Sequence, residues 1–412
     1  VVITGLGPVA CSGIGVEAFW RSLVEGQSGL GYITRFDVSD LPVRIGGEIH
    51  GFDATDYMRR RDAIHAGRFT HLAAGAAQLA VQDAGLDLSA YDPYQVGVSF
   101  GSSSAGFGSV ADETYRIIHT RGDEHADPMG IVEIPVHAAA SHILINFGIK
   151  GPNTSFSTGC STGIEAIAYG ANMVRSGRAR VVIAGASESC LSRNIFFCLC
   201  QQGAMSTDPN PLTACRPWDA TRTGLVLSEG AGAVILERAD LALDRGAHIY
   251  AEVVGHGSAV EARHMVFADA SGVDLAHAMR MALRSARLSA ADVDYACAHG
   301  IGSKDYDLAD SRALKLALGP RAYAIAVSSI KPVTGQPFAA SGALTTIATA
   351  KTIASGLIPG TLNHHRPEAD CDLDYVPGRT RASRVDTALV NAHSFGGTHA
   401  VLVLRRFAER AH

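Results

Sequence analysis

Short runs rich in apolar residues, several of them turning through glycine, recur along the chain and predict its strands. They lie at residues 1–4, which turn through Gly5-Leu6-Gly7, and at 95–100, 181–186, 249–258, 294–299 and 327–331. Such runs, without strict polar alternation, belong to sheets buried on both faces. Between them, residues 16–25 carry Phe19, Trp20 and Leu23 at helical spacing. Residues 69–85, 131–147, 276–287 and 342–355 read as small-residue or apolar helices, and 30–49 as irregular. The Gly-rich segment 224–236 predicts a turn into a further central strand. One unit occurs twice: Gly163 leads to Ser176-Gly177 and Gly342 to Ser355-Gly356 at equal spacing, each through a helix of Ala, Ile and Thr or Tyr. This pattern predicts two stacked α/β halves, 1–248 and 249–412, with the chemistry between them.

Length and composition narrow this picture. At 412 residues the chain exceeds the size at which one core keeps growing, which favours a two-lobed fold. With 47% hydrophobic and 18% charged residues it has the balance of a compact enzyme, and a net charge of −5 offers no footprint for nucleic acid. The Arg59-Arg60-Arg61 run and Arg175, Arg178 and Arg180 read as solvated faces. Eight scattered cysteines point to a reducing cytoplasm rather than a disulfide scaffold. Cys198-Leu199-Cys200 lacks a second pair at zinc-ligand spacing, so no metal site is expected. No apolar run is long enough to span a bilayer. The chain opens on a strand, with neither signal peptide nor initiating Met, so a few preceding residues are expected.

The candidate chemistry sits where strands end. Ser157-Thr158-Gly159-Cys160-Ser161-Thr162-Gly163 places a cysteine between a strand-like run and a helix. There the helix dipole favours a thiolate and free N–H groups can hold an oxyanion. An isolated Gly-Cys-Ser is more often a buried structural cysteine. Three further polar turns among glycines shift that balance: Ala298-His299-Gly300-Ile301-Gly302-Ser303, with Asp307 and Asp310 downstream; Ser328-Ser329-Ile330-Lys331-Pro332-Val333-Thr334-Gly335-Gln336; and Asn391-Ala392-His393-Ser394-Phe395-Gly396-Gly397-Thr398-His399. The loop Gly101-Ser102-Ser103-Ser104-Ala105-Gly106 lacks a phosphate-binding lysine and the dinucleotide spacing, and reads as a substrate-lining turn.

With these turns, the opening Val-Ile-Thr-Gly-Leu-Gly, Arg216-Pro217-Trp218-Asp219, Ser228-Glu229-Gly230-Ala231-Gly232 and the segment from Cys371 to Pro377, the chain resembles the elongating β-ketoacyl-[acyl carrier protein] synthases of the thiolase superfamily, essentially end to end. The resemblance implies a five-layered αβαβα fold from two similar stacked halves. It implies acyl transfer from a carrier-protein thioester to Cys160, then decarboxylative condensation with a malonyl-carrier unit. Residue by residue it makes Cys160 the nucleophile, His299 the first histidine, Lys331 the associated lysine and Asp310 the supporting acid. Phe395 becomes the gating aromatic, with Cys160 and Phe395 N–H groups as the oxyanion hole, Ser303 a pantetheine contact and Ser104 part of the acyl-pocket lining. No resident cofactor is implied, since substrates ride on the phosphopantetheine of acyl carrier protein.

The resemblance also implies a homodimer or a heterodimer with a second ketosynthase-like subunit, paired through the strand at 181–186, with the partner's 130–137 segment reaching toward the acyl pocket. Nucleic-acid and membrane partners are not expected, and the location is cytoplasmic.

Departures from the pattern matter as much. The second histidine falls on Gln336, whose amide donates a hydrogen bond but does not take up a proton. Ile301 and Ser303 stand for threonines, Asp310 for Glu, Ser394 for Gly and His399 for Asn, and bulky Pro337-Phe338 follow Gln336. They mark a specialised member of type II polyketide or fatty-acid systems. The alternative is a catalytically impaired, chain-length-factor-like partner subunit, which Ile301, Gln336 and Ser394 favour and Cys160 opposes. A degradative thiolase needs a second cysteine in the Ser394-Phe395-Gly396-Gly397 turn, which has none, and the hydrolase reading, which needs a serine elbow together with its acid partner, is less favoured.

Overall fold

The structure, a computed structural model, describes residues 1–408, so the last four residues of the expected second half lie outside it. Ten strands form one continuous path. In its first part, Asn153–Phe156, Val96–Gly101, Val181–Glu188, Gly230–Glu237 and Val2–Ala10 lie side by side. In its second, Ala326–Ser328, Tyr295–Cys297, Thr387–His393, Thr398–Arg405 and Ala251–Val260 do the same. Numbered along the chain within each part, both have the order third, second, fourth, fifth, first. Parallel and antiparallel pairings also match. The two sets touch edge to edge only through Val2↔Glu252 and Ile3↔Ala251. The duplication suggested by the two Gly-to-Ser-Gly helices therefore extends to the whole topology.

Those two helices, Thr162–Arg175 and Phe338–Ser355, form the middle layer and pack on strands of both sets. Their crossing explains why glycine stands at the repeated position. A Cβ on Gly163 would lie 2.5 Å from the Ala343 nitrogen, and one on Gly342 would lie 2.9 Å from the Ile164 nitrogen. Both obstacles are backbone, so neither can rotate away. Arg68–Asp83 and His137–Phe147 cover the outer face of the first sheet, and Val273–Ala286 and Lys304–Leu318 that of the second. Three apolar clusters fill the spaces between layers, and the central one draws on both sheets. The arrangement is the thiolase-like αβαβα fold.

Local readings shift in instructive ways. The apolar run at 131–147 divides into Gly130–Glu133 and His137–Phe147 around Pro135, whose ring cannot continue a helix. Phe338–Ser355 begins four residues before the expected Gly342. The strand at 327–331 stops at Ser328, and Lys331 opens the short helix Lys331–Thr334.

One expectation fails. Val181–Glu188 is paired on both sides, with Val96–Gly101 and Gly230–Glu237, so it has no free edge to offer a second subunit. The free edge belongs to Asn153–Phe156, a half-exposed strand bonded only to Val96–Gly101.

Candidate active site

Each candidate residue follows a strand, where loops leaving neighbouring strands converge. Cys160 comes four residues after Asn153–Phe156, on the single turn Gly159–Ser161 that feeds the helix Thr162–Arg175. Gly159 sits at φ +62°, and a Cβ there would press on Ser394 at 2.9 Å. Ser394 Oγ accepts from the Ser161 N–H at 2.8 Å and donates to the Thr158 carbonyl at 2.6 Å. One serine thus clamps the cysteine turn to the Phe395 turn, a contact glycine at 394 lacks.

The Cys160 thiol is buried, and that burial pushes its pKa up to about 12, assisted by the Glu188 carboxylate and opposed by the Gln336 amide and Lys331. Burial thus opposes the thiolate that a helix N-terminus favours. Among the described residues, neither the Cys160 nor the Phe395 N–H donates to a protein acceptor. Both N–H groups are therefore free to donate to a bound group.

His299 is buried with both ring nitrogens unpartnered. Burial, reinforced by His393, Lys331 and His399, holds its pKa well below the ordinary value, so the ring is neutral. Gln336 is equally buried, with neither amide atom hydrogen-bonded. Unpartnered polar atoms of this kind are costly and imply groups waiting for a ligand. Lys331 is buried, its Nζ donating among the described residues only to Thr345 Oγ1 at 3.3 Å, and has its pKa lowered by burial.

The structure separates Lys331 from its expected carboxylate. Asp310 accepts instead from the Gly300 N–H at 2.8 Å, Asn391 Nδ2 at 2.7 Å and His393 Nε2 at 3.1 Å. Asp310 thereby holds the His299-Gly300 turn from beneath. A Cβ on Gly300, at φ +36°, would strike Trp218 at 2.5 Å. Asp307 receives the N–H groups of Ile301, Gly302 and Trp218 and faces Arg222 at 3.4 Å, which makes it the second anchor of this turn.

A cleft leads in from the surface past Arg222, Thr223, Ser303, Ile301, Tyr306 and Phe395. Phe395 packs edge-on against Tyr306 and Phe338, so an aromatic cluster stands at its inner end. Ser303 lines this cleft. Ser104 does not: its hydroxyl and N–H, with Ser102 and Ser103, bind the Glu188 carboxylate. Its place in an acyl pocket is not supported by this contact.

Sequence reasoning assigned no role to His393, Tyr306 or Glu261. His393 stacks on His299 with ring centroids 5.3 Å apart, and His399 meets His393 edge-on at 4.7 Å. The available signal was the pair of histidines that flank Ser394 to Thr398, six residues apart on paired strands.

Comparison with known proteins decides the family. Residues 1–242 match the model of the beta-ketoacyl synthase N-terminal domain and residues 250–365 that of the C-terminal domain. The chain belongs to the β-ketoacyl synthase family. It is 38% identical over 408 residues to 3-oxoacyl-[acyl-carrier-protein] synthase 2 of Synechocystis, covering 99% of this chain and 98% of that protein. It is also 38% identical over 414 residues to the tetracenomycin polyketide synthase ketoacyl synthase alpha subunit of Streptomyces glaucescens, covering 98% and 97%. Among solved structures it resembles a type II polyketide synthase acyl-carrier protein in complex with its ketosynthase bound to the hexaketide, with a TM-score of 0.89 and 31% identity over 99% of both chains. The ishigamide ketosynthase/chain length factor gives a TM-score of 0.92 at 29% identity over 99% of both chains. Members of this family are acyltransferase-type condensing enzymes, and both fatty-acid and type II polyketide synthases stand among its relatives.

Proposed function

We propose that this β-ketoacyl synthase takes an acyl chain from acyl carrier protein onto Cys160 and condenses it with a malonyl-carrier unit in type II polyketide or specialised fatty-acid biosynthesis. The observation that carries the reading is the buried Cys160 thiol with the unsatisfied N–H groups of Cys160 and Phe395, together with the unpartnered nitrogens of a buried, neutral His299. In the first stage the sulfur attacks the thioester carbonyl. The Cys160 and Phe395 N–H groups receive the developing oxyanion, and the phosphopantetheine thiol leaves with the proton.

In the second stage the malonyl unit loses CO2 and leaves an enolate. A neutral imidazole N–H of His299 and the Gln336 amide are suited to donate to its oxygen. The enolate carbon then attacks the acyl thioester and expels the Cys160 sulfur. Gln336 supplies one hydrogen bond and no acid–base capacity. Lys331 stands as the associated lysine of this set, its ammonium form disfavoured by burial.

We read 1–248 as the half that brings the nucleophile and 249–412 as the half that brings His299, Lys331, Gln336 and the Phe395 turn. Dimer pairing belongs to the Asn153–Phe156 edge, with a second copy or a ketosynthase-like partner.

A second reading, a chain-length-factor-like subunit, draws on the high thiol pKa and on Gln336. Intact-mass spectrometry separates the two. The synthase reading requires acylation of the wild type by acyl-carrier protein, its loss in Cys160→Ala, and CO2 release from malonyl-carrier protein. Product formation that needs a second ketosynthase and survives Cys160→Ala instead establishes the subunit reading.

A further inference from the structure

Beside the His299 turn lies a cluster for which acyl transfer gives no use. Glu261, His393 and His399 each bring one potential ligand atom within 4.8 Å of the others. All three side chains are at most 3% exposed. His399 Nε2 meets Glu261 Oε1 at 3.1 Å, a separation already close to that of two donors on one small cation with bonds of about 2.0–2.2 Å. His393 is held by its Nε2 on Asp310, which leaves Nδ1 without a hydrogen-bond partner. His399 Nδ1 is likewise unpartnered and buried. An imidazole whose far nitrogen is fixed by a carboxylate, and whose near nitrogen is free, has the arrangement of a metal-bound histidine.

We propose that Glu261, His393 and His399 bind one divalent transition-metal ion of the Zn²⁺ class. Two imidazoles and one carboxylate select such ions over Mg²⁺ or Ca²⁺, which prefer oxygen. The ion takes the place of the proton shared by His399 Nε2 and Glu261. That proton passes to the unpartnered Nδ1, so the ring stays neutral. His393 Nδ1 and Glu261 Oε1 complete a three-ligand set with one open position.

The ion joins two segments that already touch. The Glu261 N–H donates to the Gly397 carbonyl, and the Gly396 N–H to that of Met265. It therefore ties residues 261–269 to the turn that carries Phe395. The site neither requires nor replaces the acyl-transfer reading.

The test uses the full chain, stripped with chelator and titrated with ZnCl2 by calorimetry and with Co²⁺ by visible absorption. The expected result is one equivalent per chain, with a Co²⁺ spectrum of nitrogen and oxygen ligation. His399→Asn and Glu261→Gln abolish it, and Asp310→Asn weakens affinity about 10–100-fold by releasing His393. Three outcomes overturn the proposal: no stoichiometric binding, binding unchanged in both His399→Asn and Glu261→Gln, or thiolate-to-cobalt charge transfer, which places the ion on cysteine. The last readout comes from wild-type protein and so does not depend on the variants folding.

Discussion

Asp310 accepts the Nε2–H of His393 at 3.1 Å, and Lys331 makes no ion pair among the described residues. The lysine is thus a buried amine without a carboxylate paired to it, and burying such a group costs stability. Lys331→Met is expected to leave the urea midpoint unchanged or higher while condensation falls about tenfold or more, as for loss of one preorganised charge-stabilising group. A lower midpoint with intact activity would show that Lys331 serves the fold.

The partner of this relationship behaves in the opposite way. Asp310→Ala strands the Gly300 N–H and Asn391 Nδ2 in a buried site. Each buried donor left unpaired costs about 1–3 kcal/mol. A loss of about 3 kcal/mol is expected in chemical unfolding, and no loss would mean that water enters beneath His299.

The Cys160 thiol should titrate far above neutrality. Its pKa is raised to about 12, so below that value the reactive thiolate is the minor form and grows tenfold with each pH unit. Alkylation of wild-type Cys160 by iodoacetamide, followed by peptide mass spectrometry, is expected to rise log-linearly between about pH 7 and 10 with no plateau. A plateau below about pH 8 would mean that the helix terminus outweighs desolvation after all.

At the centre of the molecule, Gly163→Ala and Gly342→Ala are each expected to destabilise by about 3 kcal/mol, because the new methyl meets backbone in the facing helix. Thermal unfolding measures this, and additivity in the double variant would argue against a shared crossing point.

The sheet edge gives a test of assembly. The carbonyls of Pro152 and Phe156 accept from Val98 and Ser102, so the Ser155 N–H points away from the sheet. Ser155→Pro removes that donor and is expected to shift the protein toward monomer in light scattering, whereas Ile183→Val, inside the sheet, is not.

How much of this was legible beforehand depends on the range of the physics involved. Strands and helices follow from local apolar periodicity, and most observed elements agree with it to within a few residues. Val16–Glu25 matches to the residue. Positions that close a helix are less local: Pro135 breaks one apolar run, and Phe338 extends another beyond its glycine. The turns bearing Cys160, His299, Lys331, Gln336 and Phe395 could be read because glycines beside a reactive side chain mark backbone that must bend sharply.

The sequence by itself determined the two-part α/β fold and the glycine-flanked turn that bears Cys160, since each is written in neighbouring residues, whereas reading Gln336 in place of a histidine rests on the family resemblance. Tertiary structure alone decided which strand has a free edge, that Ser104 is committed to Glu188, that Asp310 faces His393 rather than Lys331, and that Glu261 meets His399. These outcomes depend on the distance and orientation of side chains brought together from remote positions, and residue type does not specify which of several possible partners a buried polar group will reach.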